Sequence, residues 1–144
     1  GSVNIGQPEL AEVPPPVTTL QLLQQPPEVM EIVNPVEATP ASLARGEVMY
    51  DRACSPCHGA GGAGDGPVAQ AGMPSFSLLT PQAMEYPDGY IYSIVRIGRG
   101  GMPPYAHQIT NYDRWHIVNY VRQLQGADAE PAADTATPDQ AEEQ

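Results

Sequence analysis

The chain has 144 residues, a length that suits one domain with tails. It carries 17 acids against 6 bases, for a formal net charge of -11, and every base is arginine. With no lysine and no basic patch, nucleic acid is excluded as a partner. No run of 18 apolar residues is present to form a membrane-spanning helix. The acidity belongs to the ends, because five acids precede Pro40 and six follow Gly126. Between them, six acids balance all six arginines.

Residues 1–39 are rich in proline and glutamine. Pro14-Pro15-Pro16 and Pro26-Pro27 oppose long helices and favour extended backbone. Leu20, Leu22, Leu23, Val29, Met30, Ile32 and Val33 are many apolar groups for a solvated tether. The expectation is an extension that wraps the following domain in extended form, with one short strand pair or helix. A disordered linker is the competing reading. Thr39-Pro40 then supplies an N-cap and a proline at the first helical position. A helix is predicted to about Ala53, burying Leu43, Gly46, Tyr50 and Ala53. Gly46 costs about 1 kcal/mol there relative to alanine, which suggests close approach by another helix.

Cys54-Ser55-Pro56-Cys57-His58 follows. C-x-x-C-H is the signature at which a c-type haem is attached. On a helical turn, positions i, i+3 and i+4 share one face. Two thiols can therefore bond one porphyrin edge, with the adjacent His58 as proximal iron ligand. Other uses of the pair are a disulfide, a redox dithiol or a zinc site. A zinc site would have to recruit His107 and His116. The glycine-rich run from Gly59 to Gly64 is a poor helix start and opposes the redox-dithiol reading.

Residues 59–79 read as a loop, long enough to be functional. Thr80-Pro81 opens a short helix to about Glu85. Pro87-Asp88 opens another, with Ile91, Ile94 and Val95 as its buried stripe and Gly98 and Gly100 as its stop. After Gly100-Gly101-Met102-Pro103-Pro104-Tyr105, Thr110 caps a last helix, with Asp113 completing a weak capping box. Ile117, Tyr120, Val121 and Leu124 form its stripe, widened by Trp115 and Val118, and Gly126 ends it. Residues 127–144 read as a solvated acidic tail.

The sixth iron ligand separates functions, since a filled site suits electron transfer and an open one suits peroxide chemistry or ligand sensing. Thioether sulfur is a good ligand that raises the potential of haem iron. Met102 lies in a loop with two prolines behind it and glycines in front, which suits a rigid strap. Met73, also before a proline, is its main rival. His107 and His116 are further alternatives, with His116 read as a surface residue and Met49 as packing.

The order of these features resembles class I cytochrome c over residues 40–126. The wording Gly64-Asp65-Gly66-Pro67-Val68, Gly101-Met102-Pro103-Pro104-Tyr105, Asp113-Arg114-Trp115 and Tyr120-Val121-Arg122 is more particular. It is similar to the monohaem cytochrome subunit of bacterial alternative complex III and to related membrane-attached respiratory cytochromes c. The resemblance implies an all-α fold of three to five helices around one covalent haem c. It also implies that Gly46 and Tyr50 pack against Ile117 and Tyr120. The function implied is outer-sphere one-electron transfer, without enzymatic turnover. Electrons would pass from a quinol-oxidising complex to a terminal oxygen reductase. The haem-binding residues would be Cys54, Cys57, His58 and Met102, with His58 and Met102 on the iron. Arg96, Arg99, Tyr105 and Trp115 are the candidate donors to the haem propionates. Covalent haem attachment occurs on the oxidising side of a membrane, so the expected location is periplasmic, after removal of a leader. Attachment to the membrane by a segment or lipid outside these residues is a further expectation.

Overall fold

The computed structural model describes residues 13–105 and 108–126. His107 and the acidic tail at 127–144 therefore lie outside the described residues. Among those described, eight helices are present and no strand, only one isolated bridge between Arg99 and Met102. The helices are α1 (Thr19–Leu23), α2 (Pro27–Met30), α3 (Pro40–Ala53), α4 (Ser55–His58), α5 (Pro67–Gln70), α6 (Pro81–Glu85), α7 (Asp88–Ile97) and α8 (Asn111–Leu124). They fall into two compact units.

One unit comprises residues 13–37 and 87–115. Its centre is α7, against which α1 and α2 both pack. Thr18 starts α1 with a reciprocal capping box to Gln21, and Pro27 starts α2. Each short helix contributes one fully buried side chain, Leu22 and Val29. Short helices are not stable alone, so this burial is what holds them. The extension is thus part of a core, built from two helical turns rather than the extended wrap expected. Leu20, Leu23 and Val33 face outward. On α7 the buried set is Gly89, Tyr90, Tyr92, Ser93 and Val95, while Ile91 and Ile94 are half-buried. The expected isoleucine stripe is displaced because α1 and α2 cover a further face that periodicity alone did not assign. Tyr92 stacks on Trp115 at 4.3 Å between ring centroids. Its hydroxyl donates to Asn111 Oδ1 at 2.6 Å and accepts from Arg114 Nη1 at 2.9 Å.

The other unit comprises Ala38–Tyr86 and residues 116–126. Thr39 Oγ1 accepts from the Ser42 amide at 3.1 Å and Pro40 opens α3, as the cap predicted. Ser42, Gly46, Met49 and Tyr50 are buried, whereas Leu43 and Ala53 are only partly so. Gly46 is the contact with α8. A Cβ there would lie 2.1 Å from the His116 carbonyl oxygen and 2.9 Å from Tyr120 Cβ. Tyr50 meets Tyr120 at 5.3 Å, tilted by 56°. His116, read as a surface residue, is half-buried and engaged across the helix pair. Its Nδ1 lies 2.7 Å from Ser42 Oγ, which also accepts from Asn119 Nδ2 at 2.9 Å. This polar seam beside Gly46 was invisible to a search for apolar spacing. Further along, Arg122 donates to the Tyr86 carbonyl, and Gln125 Nε2 donates to the Leu78 carbonyl at 2.8 Å. The segment read as a loop at 59–79 contains α5, a single turn started by Pro67.

Candidate functional site

The site grows out of the end of α3. The Cys54 amide donates to the Tyr50 carbonyl at 2.8 Å, and the His58 amide to the Cys54 carbonyl at 2.9 Å. Cys54, Cys57 and His58 therefore occupy one helical turn, at i, i+3 and i+4, as their spacing predicted. Both thiols are free of disulfide, Cys54 buried and Cys57 partly so. Burial pushes the Cys54 thiol up to about 12, and Cys57 beside it adds to the shift. A reactive dithiol needs the opposite, a thiol held as thiolate by a lowered pKa. Among the described residues, no three His, Cys, Asp or Glu side chains gather to hold a metal ion.

The glycine-rich segment folds back over this turn. The Gly64 amide donates to the His58 carbonyl at 2.7 Å, and the Gly66 amide to the Cys57 carbonyl at 3.1 Å. The buried Tyr50 hydroxyl donates to the Gly59 carbonyl at 2.7 Å. That burial, with Cys54 nearby, pushes its phenol above the ordinary tyrosine value. Gly64 has φ of +82°, and a Cβ there would sit 2.9 Å from the Ser75 carbonyl oxygen. A glycine satisfies both demands at once, and the loop can then close at Ser75-Phe76.

This closure gives His58 Nδ1 two oxygen neighbours. Its Nδ1 lies 2.9 Å from the Phe76 carbonyl oxygen and 3.0 Å from Ser75 Oγ. A carbonyl only accepts, so the Phe76 contact calls for a proton on Nδ1, and in the neutral ring that leaves the lone pair on Nε2. Metal-ligating histidines are oriented in this way, with the second ring nitrogen donating to a carbonyl. The residues present thus fit a haem held at two thiols with an imidazole beneath it. The sequence reading missed both Ser75 and Phe76, because neither residue type marks a ligand partner.

Met102 belongs to the unit centred on α7. Its amide donates to the Arg99 carbonyl at 2.9 Å and its carbonyl accepts from the Arg99 amide at 3.1 Å, closing a tight turn over Gly100-Gly101. The Tyr105 amide donates to the Val95 carbonyl at 2.9 Å and ties the segment to α7. Met102 is half-buried, whereas Met73 is 64% exposed and Met49 is in the core. Of the candidate propionate donors, Arg96 Nη1 donates to the Pro14 carbonyl at 2.9 Å and Arg99 Nε to the Tyr90 hydroxyl at 3.1 Å. Trp115 is fully buried, and its Nε1 has no hydrogen-bond partner among the described residues.

Residues 41–121 match the family model described as "Cytochrome C oxidase, cbb3-type, subunit III". The chain belongs to this family of cytochrome c domains. With the Cys54-x-x-Cys57 pair, membership implies covalently bound haem c. The match makes this a cytochrome c domain, an electron-transfer module. Bound haem c supplies reversible one-electron Fe(III)/Fe(II) chemistry. No curated protein matches the chain. Among solved structures, it is similar to a chain of the reducing HAO-like protein complex of Kuenenia stuttgartiensis. The identity is 27% and the TM-score 0.54, over 62% of this cytochrome c domain chain and 46% of that one. The present chain thus spans about half the length of that relative. Cytochrome cL from Hyphomicrobium denitrificans is similar at 22% identity and a TM-score of 0.53, over 82% of this chain and 67% of that one. These likenesses bear out the all-α class I cytochrome c fold. Among the described residues, no helix is long and apolar enough to cross a membrane.

Proposed function

We propose that this protein is a one-electron carrier on the outer face of the cytoplasmic membrane. It passes electrons from a quinol-oxidising respiratory complex to a terminal oxygen reductase. Cys54 and Cys57 hold the haem, His58 is the proximal ligand and Met102 the distal one. The haem domain is residues 40–126, with 1–39 as an extension and 127–144 as a tail. The observation that carries this reading is the contact of His58 Nδ1 with the Phe76 carbonyl oxygen at 2.9 Å, which supports a neutral ring with Nε2 as the donor to iron. Family membership supports the electron-carrier role. The motif wording shared with the monohaem cytochrome of alternative complex III supports the choice of partners and attachment to the membrane. The tight turn over Gly100-Gly101 supports Met102, because a preformed turn presents its side chain at little entropic cost.

Docking follows from charge. The stretch between Pro40 and Gly126 is formally neutral and has no lysine. The acidic ends act as a field that is screened beyond about 8 Å at physiological ionic strength. Association through a small apolar contact is therefore expected, of the low area common in transient redox pairs. The test is stopped-flow transfer from the quinol-oxidising complex to this protein, and from it to the oxidase, at low and high ionic strength. Transfer in both steps is expected, with rates falling less than about tenfold as salt rises. No transfer in either step would overturn the assigned role. A fall beyond tenfold would overturn apolar docking and return the arginines or acidic ends to the centre.

A further inference from the structure

We infer that Ser75 is a positioning residue that sets the donor strength of His58 through a second hydrogen bond to its Nδ1–H. The inference rests on the reading of His58 as the iron ligand and adds to it a control on the reduction potential. Two acceptors surround the one proton, the Phe76 carbonyl oxygen at 2.9 Å and Ser75 Oγ at 3.0 Å. The carbonyl cannot donate, so its contact calls for a proton on Nδ1. With the proton there, the Ser75 hydroxyl oxygen must accept as well, in a three-centre bond.

The backbone makes this arrangement deliberate rather than incidental. The Gly64 amide ties to His58 itself, and the Leu78 amide ties to the Gly62 carbonyl at 2.6 Å. Gly64 lets the chain pass within 2.9 Å of the Ser75 carbonyl, measured from where its Cβ would stand. Residues 75 and 76 are thereby both held within hydrogen-bond distance of one ring nitrogen. Hydrogen bonds to the far nitrogen of a ligating histidine raise its basicity. Two acceptors draw the Nδ1 proton outward more than one does. Nε2 becomes a stronger donor, and a stronger donor favours the oxidised metal. Ser75 thus holds the potential below the value that the Phe76 carbonyl alone would give.

The test compares Ser75→Ala, Ser75→Val and Ser75→Thr in the haem-loaded full chain, by optical spectroelectrochemistry. Ser75→Ala and Ser75→Val should shift the equilibrium toward the reduced state by roughly threefold to tenfold, where tenfold is about 59 mV for one electron. Ser75→Thr keeps the hydroxyl and should return the wild-type potential. Valine and threonine have nearly the same shape, so their comparison holds even where alanine leaves the protein short of haem. An unmoved potential in Ser75→Val, or an equal shift in Ser75→Thr, would overturn the inference. The wild-type spectrum is recorded first. If it lacked imidazole ligation, the assignment of His58 would fall. A normal spectrum with an unmoved potential counts against Ser75 alone.

Discussion

Gly46→Val should destabilise the protein by about 3 kcal/mol, at the upper end of what overpacking costs. The reason is the contact at the crossing of α3 and α8. Any Cβ at residue 46 would stand 2.1 Å from the His116 carbonyl oxygen. That atom is helix backbone and cannot swing away as a flexible side chain could. The helices must separate, and the Ser42–His116–Asn119 seam and the Tyr50–Tyr120 contact go with them. Because Tyr50 also carries the carbonyl that receives the Cys54 amide, the damage reaches the turn of the Cys-x-x-Cys-His motif. Gly61→Ala is the control, since none of the described residues lies within 4 Å of a Cβ there. It should stay within about 0.5 kcal/mol of wild type. Denaturant titration followed by circular dichroism measures both. Equal midpoints for the two variants would show that the close approach at Gly46 is not holding the helices.

Met102→Ala should remove the weak sulfur-to-iron band at the red end of the oxidised spectrum. It should also lower the reduction potential by about 120 mV, a hundredfold change in the one-electron equilibrium. A thioether is a soft neutral ligand and favours the reduced metal, so its loss favours the oxidised one. Met73→Ala should leave band and potential unchanged, in keeping with the 64% exposure of Met73. The reverse pattern would move the assignment to Met73. A wild-type protein without the band, and with a ferrous form that binds carbon monoxide rapidly, would favour an open sixth site.

Much of the fold was legible because its signals are local. Thr39-Pro40 and Thr80-Pro81 place two helix starts, and each threonine oxygen accepts the amide three residues on. The one-turn spacing of Cys54, Cys57 and His58 needs no tertiary information, and the structure puts them on that turn. Gly46 was legible as a close approach because glycine inside a helix has a cost that something must offset. Other features depend on which surfaces meet. Leu22 and Val29 are buried while Leu20 and Val33 are not, and only the placement of α7 distinguishes them. His116 looked solvated because its partner Ser42, which also accepts from Asn119, lies across the helix pair. Ser75 and Phe76 act on His58 through a hydroxyl and a backbone carbonyl 17 and 18 residues away. No residue type announces such a role for a backbone oxygen.

The central claim is that Cys54 and Cys57 carry one covalent haem above His58. Intact mass of the protein, produced in cells competent in cytochrome c maturation and extracted with acid-acetone, tests it most directly. The account predicts the mass of the chain plus one haem, and the bare chain when both cysteines are replaced by alanine. A wild-type protein with the mass of the bare chain would contradict it.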